Sequence, residues 1–199
     1  MTQSNVYDII DKKKLDAVNK HISESHGLPN ECYVSEEYTK FERKKLFEEK
    51  WTVIGVGNSV PNPGDAKPFD LLGIPLMILR DKKNQIKVFH NVCSHRGYKI
   101  LQKPEKISNV IRCPYHSWSY DLEGNLVATP HIGGVNKHEA KDFDKSCSGL
   151  KKVRSYIWLD LIFINISNNA ESFEEYIKPL SDRWSKFWTE EDQRLIKHP

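Results

Sequence analysis

Two stretches decide how this chain is read: HNVCSHRGYKI at residues 90–100 and RCPYHSWSYDLEGNL at residues 112–126. Each sets one cysteine and one histidine on a turn beside β-branched and aromatic residues. The first carries Cys93 and His95 as C-x-H, the second Cys113 and His116 as C-x-x-H, and seventeen residues separate His95 from Cys113. Glycine and proline lie next to the candidate ligands, at Gly97 and Pro114, as expected of tight loops rather than of regular structure.

Working outward, the hydrophobic period around these boxes is two. PLMILRD (75–81), IKVFH (86–90), NVIRC (109–113), SWSYD (117–121) and LIFINI (161–166) are short and rich in β-branched and aromatic residues. Several are bounded by turn signals such as DKKN and LEGN, which predicts antiparallel hairpins. NSVPNPGD (58–65) breaks regular structure ahead of them. Beyond both ends the period becomes helical. Ser35 can cap EEYTKFERKKLFEEK, with Tyr38, Phe41 and Leu46 on one side. Ser172 and Glu175 form a capping box before Phe173, Tyr176, Ile177, Leu180, Trp184, Phe187 and Trp188, and Pro179 is expected to kink or split that helix.

Composition bounds the rest. The chain has 199 residues, 38% of them apolar and 29% charged, with four cysteines and a net charge of +3. That is one compact domain with appendages, large enough to bury a core without a disulfide framework. Lys+Arg 30 against Asp+Glu 27, scattered along the chain, excludes a nucleic-acid footprint. No apolar run approaches the roughly 18 residues that span a bilayer, and no secretory signal opens the sequence, so a cytoplasmic, membrane-free protein is expected.

The chemistry of the boxes follows from their donors. Two thiolates and two imidazoles in C-x-H and C-x-x-H form the ligand set of a Rieske [2Fe-2S] centre. The thiolates hold one iron. Neutral imidazoles on the other remove negative charge and favour the reduced state, giving potentials of about -150 to +300 mV. A structural zinc site is the competing reading of the same four residues, but zinc fingers usually pair cysteine with cysteine and histidine with histidine, whereas each box here is mixed.

The two boxes resemble the Rieske domain of ring-hydroxylating oxygenase α subunits. LPNECYVSEEYTKFERKKLFEEKW (28–51) is similar to the helix that leads into that domain, VPNPGD (60–65) to its first loop, and the resemblance covers most of residues 28–190. It implies a mainly β fold: a Rieske-type antiparallel β-sandwich with a cluster-binding subdomain, flanked by N- and C-terminal helices. Residues 1–50 would be a helical arm, 51–167 the Rieske domain and 168–199 the helical start of a catalytic domain. Cys93 and Cys113 would hold the inner iron, His95 and His116 the outer one, with Trp118 and Tyr120 packed around the cluster.

The implied function is electron transfer to a mononuclear Fe(II), which the family binds with two histidines and a carboxylate in a further domain. A reductase or ferredoxin would donate the electrons, the full-length protein would be a homo-oligomer, and the whole enzyme would be a mono- or dioxygenase. A stand-alone Rieske ferredoxin-like carrier is the alternative. No second iron site can be assembled from the sequence: His21 and His26, with Asp16, precede the boxes and read as a solvated face, His131 and His138 read as loop residues, and His198 is penultimate. Cys32 and Cys147 are left over as thiols.

Two features set the boxes apart from the other large Rieske class, and one departs from the resembled family. Tyr98 and Tyr115 stand where the cytochrome bc class of Rieske proteins has a disulfide. Trp118 stands where that class places a serine hydroxyl on a cluster sulfur, which predicts a potential in the lower part of the Rieske range. Ser117 follows the second histidine where the family usually has glycine. If positive φ is required there, serine costs on the order of 1 kcal/mol.

Overall fold

A computed structural model describes residues 5–187. The N-terminal arm contains α1 (Lys12–Val18), α2 (Glu31–Val34) and α3 (Glu36–Glu42), which continues as a π-helical turn over Arg43–Glu48. Ser35 caps α3 as expected, its Oγ accepting from Tyr38 N at 3.2 Å. A buried side chain and an apolar contact fasten the arm to the sheet: Asn165 Nδ2 donates to the carbonyls of Glu48, Glu49 and Lys50 at 3.1–3.2 Å, and Phe47 packs against the core of the curl.

The body is mainly β and antiparallel throughout. The strands are β1 (Thr52–Val56), β2 (Asp65–Leu71), β3 (Ile74–Arg80), β4 (Ile86–His90), β5 (Glu105–Lys106), β6 (Ile111–Arg112), β7 (Ser119–Tyr120), β8 (Leu126–Ala128), β9 (Lys152–Trp158) and β10 (Leu161–Asn165). Seven form one sheet in the order β1-β10-β9-β4-β3-β2-β5, and β6-β7-β8 form a second. The large sheet curls, since residues from both its halves meet in one apolar core: Ile54, Leu76, Ile78, Val88, Val153 and Ile162. Only two residue pairs, Val88↔Val153 and Phe89↔Lys152, join β4 to β9 at the middle of the curl.

Strand β3 has no solvent side. Leu76 and Ile78 face the interior of the curl, Met77 and Leu79 belong to a second core on the outer face, and all four are fully buried. This is why PLMILRD reads as an unbroken apolar run rather than an alternating one. The second core also holds Phe89, Cys93, Cys113 and Tyr120, so the loop-rich subdomain sits on the outer face of β3 and β4. Pro68 is tolerated in β2 because it pairs with Met77 on one side, while β5 covers only Asp65 and Ala66 on the other.

Two hairpin turns are built alike and tied together. Asp81 Oδ1 accepts from Lys83 N and Gln85 N, and Asp121 Oδ1 from Glu123 N and Asn125 N, all at 2.8 Å. The left-handed position falls three residues after each aspartate, at Asn84 (φ 65°) and Gly124 (φ 86°). Gly124 is required twice over, since a Cβ there would come within 2.6 Å of the Phe89 ring. Lys87 links the turns, pairing with Asp81 at 2.8 Å and with Glu123.

At the far end, α4 (Phe173–Trp184) opens with the expected capping box of Ser172 and Glu175. Pro179 does not split it; the helix runs through the proline, which simply lacks the N–H for the Glu175 carbonyl. Phe173 and Ile177 dock on Trp51 and Phe163, whereas Leu180 and Phe187 are exposed. Trp188 and His198 lie outside the described residues. No helix among the described residues is long and apolar enough to cross a membrane.

Candidate metal centre

The two cysteine loops share one backbone design. In the first, Cys93 N donates to Tyr98 O at 2.8 Å and Gly97 N to Cys93 O at 2.9 Å. In the second, Cys113 N donates to Trp118 O at 2.8 Å and Ser117 N to Cys113 O at 3.0 Å. In both, the residue four after the cysteine is left-handed: Gly97 at φ 70° and Ser117 at φ 58°. The strain anticipated for Ser117 is therefore present, and Ser119 Oγ braces it by donating to Ser117 O at 3.0 Å.

The bases of the loops are closed by different means. Asn91, fully buried, exchanges two hydrogen bonds with the Leu101 backbone, at 2.7 Å from Nδ2 to O and 2.8 Å from N to Oδ1. The second loop is closed by the β6–β7 ladder, with Arg112 opposite Ser119 and Ile111 opposite Tyr120.

These loops bring the four candidate ligands into two pairs. Cys93 and Cys113 are buried on the inner side, close enough for their thiols to hydrogen-bond. His95 and His116 lie on the outer side with ring centroids 4.9 Å apart, lining one pocket with Arg96, Tyr115, Trp118 and His131. Burial pushes the Cys113 thiol up, Cys93 reinforces the shift, and the N–H groups of Tyr115 and His116 aimed at the sulfur oppose it. Burial lowers His95, aided by His116 and the Arg96 cation, which favours the neutral imidazole that a metal requires. His116 Nδ1 is buried and has no hydrogen-bond partner within the protein. Leaving such an atom unmatched costs about 1–3 kcal/mol, a penalty that coordination removes.

Aromatic rings frame the imidazoles. Trp118 stacks on His95 with centroids 4.6 Å apart and planes 11° apart, and Phe143 meets Trp118 edge-on at 5.5 Å. Tyr115 packs on His116 at 3.7 Å and reaches Tyr98 at 5.3 Å, so an exposed ring pair bridges the two loops. Tyr120, fully buried, places its hydroxyl 3.1 Å from Cys93 Sγ. The family resemblance implied Tyr120 around the cluster but not its hydroxyl on a sulfur, and nothing in the sequence signalled Ser94, Ser148 or Phe143. Residues so far apart in sequence leave no local signal of their contact.

The donor set has a further property. Among the described residues, no three of histidine, cysteine, aspartate and glutamate converge as they would around one metal ion. A tetrahedral zinc would draw all four to a single point. An inner sulfur pair and an outer nitrogen pair suit a group with two metal ions.

The other candidate residues lie elsewhere or are engaged otherwise. Asp16 pairs with Lys12, and His21 and His26 are exposed. His131 and His138 approach to 5.2 Å, but each Nδ1 accepts a backbone N–H, from Asn136 and His131 respectively. Cys32 and Cys147 are free thiols.

A curled antiparallel sheet with two matched cysteine–histidine loops on its outer face defines an iron–sulfur electron-transfer fold. The comparisons with known proteins narrow this. Residues 50–139 match the family model described as the Rieske [2Fe-2S] domain. The chain is 29% identical over 159 residues to 2-aminobenzenesulfonate 2,3-dioxygenase subunit alpha of Alcaligenes sp, covering 79% of this chain and 40% of that protein. It is 29% identical over 156 residues to the carnitine monooxygenase oxygenase subunit of Acinetobacter pittii, covering 78% and 41%. Among solved structures, the apo form of a quaternary ammonium Rieske monooxygenase superposes with a TM-score of 0.72 at 27% identity, over 81% of this chain and 46% of that one. This chain therefore carries a Rieske [2Fe-2S] domain related to those of Rieske oxygenase large subunits, and it spans about two-fifths of the length of the curated relatives it matches.

Proposed function

We propose that Cys93, His95, Cys113 and His116 hold the [2Fe-2S] cluster, the cysteines on the inner iron and the histidines on the outer, and that the domain passes electrons toward a mononuclear iron lying outside these 199 residues. The observation that carries this reading is the pairing of donors by two loops of one backbone design, thiols inside and imidazoles outside. When bound, such a cluster takes up and releases one electron. The protein's part is to hold the donors, exclude water from the sulfur side through the second core, and keep the imidazole side at the surface.

On this reading residues 1–50 are an arm, 51–167 the Rieske domain, and 168–199 begin a catalytic domain, with the exposed Leu180 and Phe187 as the start of its packing surface. The relatives imply a reductase or ferredoxin donor, a homo-oligomer and oxygen insertion into an organic substrate. The substrates in the relatives' names include an aromatic sulfonate and a quaternary amine.

The test is iron and acid-labile sulfide analysis with an EPR spectrum of the reduced protein. The expected result is roughly two irons and two sulfides per chain with a Rieske-type spectrum. Cys93→Ser or His116→Ala should abolish it, and Cys32→Ser or Cys147→Ser should leave it intact. Stoichiometric zinc, or a colourless protein after reconstitution, would overturn the assignment.

A further inference from the structure

The hydroxyl of Tyr120 has more neighbours than it has protons. Its Oη lies 3.1 Å from Cys93 Sγ, 3.1 Å from Ser94 N and 3.0 Å from Ser94 Oγ. Ser94 Oγ in turn lies 2.6 Å from the carbonyl oxygen of Ser148, in the segment that returns from the subdomain to β9. The donors can be assigned by elimination. A carbonyl only accepts, so the short contact to Ser148 takes the Ser94 hydroxyl proton. The Ser94 N–H donates to Tyr120 Oη. Ser94 Oγ therefore turns a lone pair toward Tyr120. A thiolate ligand also only accepts, which leaves the one Tyr120 proton with two competing acceptors, Cys93 Sγ and Ser94 Oγ.

We infer that Ser94 sets the reduction potential of the cluster as a positioning residue, by competing with Cys93 for the Tyr120 proton. This rests on the cluster assignment proposed above. A hydrogen bond to a ligand sulfur favours the reduced state, because the added electron makes the sulfur a better acceptor. Where a second acceptor is available, the proton spends part of its time on Ser94 in the oxidised state, and the gain on reduction is diluted. With comparable distances to the two acceptors, the dilution is about twofold in the equilibrium constant for reduction, or about 18 mV for one electron at 59 mV per tenfold.

The pairing gives opposite signs for two neighbours. Tyr120→Phe removes the donor and should lower the midpoint. Ser94→Val removes the rival acceptor and should raise it, while Ser94→Thr, of the same shape but keeping the hydroxyl, should hold the wild-type value. The effect of Ser94 must pass through Tyr120, so in the Tyr120→Phe background Ser94→Val should shift nothing.

The experiment is a redox titration of the cluster-loaded chain, followed by EPR, for wild type, the three single variants and the double variant. A midpoint that falls or stays put in Ser94→Val overturns the inference, as does a shift that survives in the Tyr120→Phe background. Should Ser94→Val not load cluster, Ser94→Gly removes the same hydroxyl and carries the same expectation. Wild type without a Rieske-type EPR signal overturns the cluster assignment itself. A normal signal with no interaction between Ser94 and Tyr120 overturns this inference alone.

Discussion

Gly97 and Ser117 occupy equivalent places in two loops of one design, yet only one is the residue that geometry favours. Both are left-handed, and nothing lies within 4 Å of a Cβ built on Gly97. The difference between the two positions is therefore backbone strain alone. Gly97→Ala should destabilise the protein by about 1–2 kcal/mol, and Ser117→Gly should stabilise it by up to about 1 kcal/mol once the extra freedom of the unfolded chain is subtracted. Denaturant melts of both variants in the same cluster-loading state check the pair; equal signs would mean that contacts, not φ, control these sites. The strain at Ser117 was legible through the family resemblance, which expects glycine at that position, and the left-handed φ of 58° bears the expectation out. Ser94 was not, since its role depends on Tyr120 and on Ser148, which lies 54 residues away.

At the scale of elements, the legible parts were those built by local chemistry. DKKN and LEGN announce hairpins because each follows or includes an aspartate turn whose carboxylate binds the next backbone N–H groups. Strand β9 gave no such sign: KVRSYIW alternates poorly, and only Val153 in it is buried. Strand β2 hid behind its proline. The contact between the two hairpins could not be read at all, as it is made by Lys87 across tertiary space. Burial pushes the Asp81 carboxyl up, but the Lys87 ammonium and the N–H groups of Gln85 and Lys83 outweigh it and hold the group below the usual carboxylate range. A depressed carboxylate contributes stability above its unfolded pKa and loses it as pH falls through the folded value. Asp81→Asn should thus cost about 2 kcal/mol near neutral pH, with the gap to wild type closing below about pH 4. Urea melts at pH 7 and pH 3.5 test this; a gap independent of pH would remove the ionic explanation.

For the whole molecule, the organisation separates support from chemistry. The arm is held through Asn165, the curl encloses one core, and the subdomain with its paired donors rests on the outer face over the second. The proposed function puts the catalytic iron outside these residues, so the dithionite-reduced chain exposed to oxygen should return to its oxidised spectrum without product. Mass spectrometry with carnitine or 2-aminobenzenesulfonate as probe checks that, and any hydroxylated product from this chain alone would contradict the placement.

A strand with no outward face leaves sequence drift nowhere neutral to go. Each substitution at Leu76 or Ile78 reshapes the interior of the curl, each at Met77 or Leu79 reshapes the floor beneath the cysteine loops, and the two sets alternate along four consecutive residues. Tolerated change in this strand should consequently arrive in compensated sets, with partners drawn from both compartments, so that the curled sheet and the loop-rich subdomain cannot diverge at independent rates.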